Sequence, residues 1–405
     1  MTTMQSDDAL RAEVRDWLSE HWLSGPGRKA LPQRSDSFGR DPRSDWLDQV
    51  VQAGWAVPRW PTDWYGRGLD DRQARIVEAE FAEAQAPGSG QDRTNLWANT
   101  ALKYATEEFK RRIIPALLAG RVGMCLLYSE PGAGSDLAAI RTRAEPCGGD
   151  FMVTGQKVWT SGAQIADYGM LIARTDWDVP KHRGISFFFL PMKQPGVVVR
   201  PLRQITDETH FNEVFIDQAI VPAENLLGAL GGGWAVLQTA LAYERSVMGD
   251  SARGPRSGAE TPHGDAMLVE LARETGRLGD SAVRQRIAQV TAWRMLNRLN
   301  ARRAKAELAQ GTSSPILSLG KLAMSRILHE EARLRTDLLE AESLLQGPEH
   351  PRAEDANFLT LNAYFTSIGG GTDQIQRNII GERVLGLPRE PELDRDVPFR
   401  DVRAG

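Results

Sequence analysis

The order in which the hydrophobic period changes along the chain constrains its fold most. Apolar residues recur at helical spacing through roughly the first 120 positions, short β-rich runs fill the middle, and long helical patterns return after a glycine run at 231–233. Near the start, Leu10, Val14, Trp17, Leu18 and Trp22 fall on one helical face behind Ser6, a residue type that caps helix starts. Positions 46–55, 72–86 and 106–118 continue the helical reading, and the Pro- and Gly-bearing VPRWPTDWYGRGL at 57–69 reads as a loop. Strands are expected around 151–153, 170–173, 185–190, 197–199 and 214–216, and helices over 234–248, 282–309, 317–345 and after Gly371. The Gly-, Pro- and Ser-rich stretch 249–264 reads as a connection within a domain. The expected class is α+β: an N-terminal helical domain (1–121), a small middle β-sheet domain (122–228) and a C-terminal helical bundle (229–405).

Composition narrows the function without naming it. With 405 residues, 41% hydrophobic and 25% charged, the chain has ample material for several cores. A formal charge of −4 supplies no footprint for nucleic acid or an anionic membrane, so a small-molecule partner is expected. Cys125 and Cys147 are too few for a disulfide framework or a Cys-based zinc site, and a reducing cytoplasm fits. The start MTTMQSDDAL lacks a signal pattern and the longest apolar runs are too short to span a bilayer.

Two segments carry chemistry. YSEPGAGSD, Tyr128 to Asp136, combines glycines, proline and hydroxyls in a loop able to approach a flat ring or a phosphate. About twenty residues on, GQKVWTSG ends a strand with Trp159, Thr160 and Ser161, an aromatic wall beside short donors that suits an isoalloxazine ring. Taken singly, each piece favours the plainer reading of a surface turn followed by a core tryptophan.

Together, in this order and spacing, they resemble the acyl-CoA dehydrogenase family. AVPRWPTDWYGRGL at 56–69, HFNEVF at 210–215, VPAENLLG at 221–228 and GTDQIQRNIIGERVLG at 371–386 extend the resemblance over nearly the whole chain. The resemblance implies FAD as cofactor, held by Ser129, the main chain around Leu126 and Tyr128, Gly134, Ser135, Trp159, Thr160 and Ser161. It implies that Thr372 and Gln374 reach the flavin from the C-terminal domain, although Thr372 followed by DQIQ is also a good helix N-cap.

The family commonly places its catalytic Glu just before the terminal Gly-Thr; here that position is Gly370. A second family arrangement puts the base on the first long helix of the C-terminal domain, where this chain has Glu244. Leu237, Ala240, Leu241, Val247 and Met248 surround Glu244 at helical spacing, an apolar stripe that would raise a carboxylate towards the working pH. Arg245 is implied to support the site, and the Gly370 N–H to donate to the thioester oxygen. By the resemblance, Glu244 removes the α-proton of an acyl-CoA while the β-hydride leaves to flavin N5, and electrons pass on to an electron-transfer flavoprotein.

Two family elements that clasp the FAD pyrophosphate of a neighbouring subunit have no counterpart here; Arg294, Arg298 and Arg302 form a stripe that reads as a phosphate contact or as a solvated face. A homodimer or homotetramer is implied, or a pair of unlike subunits. Two rival readings stay open: a partner subunit shaping half a flavin site, and a flavin oxidase or monooxygenase on the same fold.

Overall fold

Local sequence accounts for the start of the chain. In the computed structural model, which describes residues 6–23, 40–251, 264–309, 316–392 and 394–402, the Ser6 hydroxyl accepts from the Ala9 N–H and opens helix α1 (Asp7–Leu18). Leu10, Val14, Leu18 and Trp22 are buried, as their spacing predicts. They pack with α2 (Ser44–Gln52), α3 (Asp71–Glu83) and α6 (Glu107–Leu118). Two buried indoles find carbonyl partners, Trp22 donating to Ala84 and Trp46 to Pro87. Two helices that the periodicity missed, α4 (Gln91–Thr94) and α5 (Leu96–Tyr104), fill the space between α3 and α6 in sequence.

The middle segment forms one eight-stranded sheet from β1 (Met124–Leu127), β2 (Arg143–Cys147), β3 (Asp150–Ser161), β4 (Tyr168–Arg174), β5 (Ile185–Pro191), β6 (Val197–Leu202), β7 (Phe211–Val221) and β8 (Leu226–Leu227). The order is β6-β7-β3-β2-β4-β5-β8, with β1 added parallel to β4. Period-two alternation divides two cores: Met170, Ile172, Phe187 and Phe189 join the cluster of the N-terminal helices, whereas Leu171, Ala173, Phe188 and Leu190 join Val153, Val214 and Ile216.

The chain falls into two compact units, Met1–Gln204 with Glu208–Val247 and Leu393–Gly405, and Ile205–Asp207 with Met248–Glu392. Helix α7 (Gly233–Ser251) begins in the first. The second holds α8 (Gly264–Glu274), α9 (Ser281–Ala309), α10 (Leu317–Leu339), α11 (Pro351–Ile368) and α12 (Asp373–Arg383) around Leu268, Val290, Ile327, Leu334 and Leu338. The helix expected over 317–345 ends at Leu339, because Glu340 turns with φ +48° into a short 3₁₀ segment. The connection expected at 249–264 lies for the most part outside the described residues. Among the described residues no helix is long and apolar enough to cross a membrane.

Candidate active site

The two chemistry-bearing segments lie side by side. β1 runs into the loop Tyr128–Asp136, and the end of β3 passes alongside it, the Val158 N–H donating to the Ser129 carbonyl at 3.0 Å. A buried ion pair locks them together. The Lys157 ammonium, with no exposed surface, donates to Glu130 Oε1 at 2.9 Å and to the Tyr128 carbonyl at 3.1 Å. Glu130 also accepts from the N–H groups of Arg141 and Thr142 at 2.7 and 2.9 Å. Burial pushes the Glu130 carboxyl up, but Lys157 and the N–H donors outweigh it and hold it below the usual carboxylate range.

Beyond Lys157 the strand is bulged. β3 pairs Lys157 with Val214 and Thr160 with Asn212, so β3 carries one residue more than β7 over this interval. Trp159 occupies the bulge with φ +62°, a left-handed conformation that costs an L-residue about 1–2 kcal/mol. The consequence is an outward indole, 56% exposed and edge-on to Phe211. Ser161, two residues on, is half-buried, while Thr160 between them is buried. Asn212 Nδ2 donates to the Thr160 carbonyl at 2.9 Å and holds the strand end, and the Thr160 hydroxyl has no hydrogen-bond partner among the described residues.

The loop itself stands open. A Cβ added at Gly132 or Gly134 would meet nothing within 4 Å, and Gly134 and Ser135 are exposed. Leu126 is half-buried in β1, Ser129 is half-buried, and the Tyr128 side chain turns inward to Met170 and Phe187. An open indole, short hydroxyls and an unobstructed glycine loop fit the flat ring and polar edge of a flavin.

Helix α7 starts directly on the sheet. The Gly231 N–H donates to Ser186 Oγ at 2.9 Å, and a Cβ on Gly233 would lie 2.5 Å from the Ser186 carbonyl carbon, so only glycine allows this approach. Val236, Leu237 and Ala240 form its buried face. Glu244, the expected base, follows Ala240 by four residues and Leu237 by seven in the same helix. The side chains of Glu244 and Arg245 lie outside the described residues. A shallow cleft of about 670 Å³ between α4, α5 and α7 is lined by Lys103, Thr239, Ala242 and Tyr243, a different flank of α7 from the Leu237–Ala240–Glu244 line. This cleft is therefore not where the base is expected.

In the second unit, Gly370 and Gly371 take φ of +64° and +92° and turn the chain from α11 into α12. Thr372 caps α12, its hydroxyl accepting from the Ile375 N–H at 3.2 Å, and Gln374 is exposed one residue into the helix. Asp373 is anchored by Ser325 Oγ at 2.8 Å.

Comparison with known proteins decides the family. Profiles of the acyl-CoA dehydrogenase N-terminal, middle and C-terminal domains match residues 4–121, 125–219 and 231–385. Acyl-CoA dehydrogenase IpdE1 of Mycobacterium tuberculosis is 35% identical over 96% of this chain and 99% of its own length. The chain belongs to the acyl-CoA dehydrogenase family. Among solved structures, the Tcur3481-Tcur3483 steroid ACAD superposes with a TM-score of 0.68 at 26% identity, covering 96% of this chain and all of that one. The ChsE4-ChsE5 complex of Mycobacterium tuberculosis gives 0.65 at 27%, with 96% and full coverage.

In this acyl-CoA dehydrogenase, Ser129, Trp159 and Ser161 come from segments joined by direct hydrogen bonds; Glu244 lies in the first unit, and Gly370, Thr372 and Gln374 in the second. Sequence reasoning missed Glu130 and Lys157 as the pair that fastens loop to strand, although both stood inside the quoted motifs; their opposite charges were the available signal. Arg294 of the basic stripe is paired with Glu331 inside the bundle.

Proposed function

We propose that this family member binds FAD and oxidises an acyl-CoA thioester to its 2,3-unsaturated form. The observation that carries the reading is the strained, outward Trp159 beside Ser161, held against the Ser129 loop by the Lys157–Glu130 pair. Strain persists where the surroundings over-determine it and a function uses it. The flavin contacts come from Ser129, Gly134, Ser135, Trp159 and Ser161, the main chain of Leu126, Tyr128 and Thr160, and Thr372 and Gln374. FAD held by these residues would supply the hydride acceptor for the substrate β-carbon. Glu244 removes the α-proton, Arg245 supports it, and the Gly370 N–H donates to the thioester oxygen as negative charge develops there.

The similarity to a steroid ACAD favours a bulky, ring-bearing acyl group, and the acceptor we propose is an electron-transfer flavoprotein in the cytoplasm. Two structural relatives join differently named chains, which supports a mixed assembly beside a homodimer or homotetramer. The test is anaerobic titration of the purified, FAD-treated chain with straight, branched and steroid-ring acyl-CoA thioesters. Bleaching of bound flavin by a ring-bearing thioester is expected. A chain that stays colourless after FAD treatment is a partner subunit instead, and one that releases peroxide rapidly in air after reduction is an oxidase.

A further inference from the structure

Arg174, at the end of β4, is fully buried, and among the described residues no carboxylate lies within ion-pairing distance of it. Its contacts are backbone carbonyls and aromatic faces, with Glu130, Asp136 and Asp176 acting on its charge only from longer range. Nε donates to the Ile140 carbonyl at 3.1 Å, Nη2 to Ala138 at 2.7 Å and Nη1 to Lys181 at 3.1 Å. The guanidinium carbon lies 3.5 Å from the ring centre of Phe399 and 5.7 Å from that of Trp177. A buried, unpaired cation is costly, and a desolvated aromatic face is among the few groups that offset that cost.

Each group that Arg174 holds connects to the loop Tyr128–Asp136. Ala138 and Ile140 follow it directly. Lys181 donates through Nζ to Asp136 at 3.0 Å. Arg141, whose N–H bonds Glu130, also lays its guanidinium near the Phe399 ring, at 5.2 Å. Phe399 comes from the far end of the chain and is itself fixed, its N–H donating to the Val179 carbonyl and that of Arg400 to Trp177, both at 3.0 Å.

We propose that the C-terminal segment Pro398–Val402 is a positioning element for the flavin loop, with Phe399 acting through Arg174 and Arg141 to set the 137–142 turn. The assignment rests on the loop's flavin role proposed above. The ring closes one face of the Arg174 guanidinium, so its loss admits water, and the arms that hold Ala138 and Ile140 then have competing acceptors.

The test compares Phe399→Leu, which keeps most of the volume without the ring, with Phe399→Tyr, which keeps the ring, and with Phe188→Leu in the other face's core as a stability control. FAD affinity, thermal midpoint and hydrogen exchange of the 130–142 amides are read on each full-length protein. Phe399→Leu is expected to weaken FAD about tenfold, equivalent to ~1.4 kcal/mol, and to speed exchange at 130–142. Phe399→Tyr should restore both, and Phe188→Leu should lower the thermal midpoint alone. Unchanged FAD affinity and exchange in Phe399→Leu, with only a lower midpoint, overturns the proposal. If the native chain binds no FAD, the flavin reading fails on its own, and the exchange result alone decides: faster 130–142 amides uphold the positioning role and unchanged ones overturn it.

Discussion

At Trp159 the backbone takes a conformation that an indole-bearing residue disfavours, and the bulge against β7 is what imposes it. Trp159→Gly should relieve about 1–2 kcal/mol of strain. The Trp159→Gly apoprotein should therefore show a thermal midpoint that does not fall, together with clearly weaker FAD binding, measured by thermal scan and flavin fluorescence. The neighbouring ion pair behaves oppositely. Lys157→Met leaves the Glu130 carboxylate buried without its cation, a change that typically costs about 3–5 kcal/mol. The midpoint should fall sharply in Lys157→Met, and adding Glu130→Gln should recover much of the loss, since a neutral amide removes the orphaned charge. Recovery absent from the double variant would mean that the pair is not what joins loop and strand. The two motifs were legible as local strings because glycine, proline and tryptophan are distinctive in sequence. The Lys157–Glu130 bond was not, because a contact between two segments leaves no local period.

Elements were legible where a period had room to repeat. Helix α1 announced itself through Leu10, Val14 and Leu18, and β5 through an apolar run interrupted by Ser186, since buried strands are apolar on both faces. Helix α5 did not, because Asn95 to Tyr104 mixes buried Asn99 and Thr100 with its apolar residues, and those side chains bond to backbone carbonyls instead of following the hydrophobic pattern. Short β1 and Pro-bearing β2 escaped for want of length and propensity. At β4's start, Asp167 ties elements together by accepting from Arg40, Lys193 and the Gly123 N–H. Burial pushes its carboxyl up, but these donors prevail and hold it at about 2. A depressed carboxyl stabilises the fold fully above its unfolded value near 3.8 and loses that contribution as pH falls through 2. Asp167→Asn should thus cost roughly 1 kcal/mol at neutral pH, discounted for its exposed cationic partners, and the gap from the native protein should close between pH 4 and 2. Urea midpoints measured across that interval check it; a gap that stays constant would contradict it.

For the molecule as a whole, three matched domains establish the family, while the base is proposed from the position that the backbone leaves for a carboxylate. Gly370 lies at φ +64°, where glycine alone is unstrained, so a Glu there meets a penalty of about 1 kcal/mol. The base proposed instead is Glu244, on a helix whose start packs tightly against β5. Gly370→Glu should not rescue a chain lacking Glu244, as judged by steady-state turnover with an artificial dye. The most direct test of the central claim is anaerobic stopped-flow reduction of FAD-loaded Glu244→Gln by a thioester that bleaches the native protein. A normal ligand-induced change in the flavin spectrum, followed by reduction slower by ~10³-fold or more, is predicted; reduction at close to the native rate would contradict the assignment of Glu244 as the base.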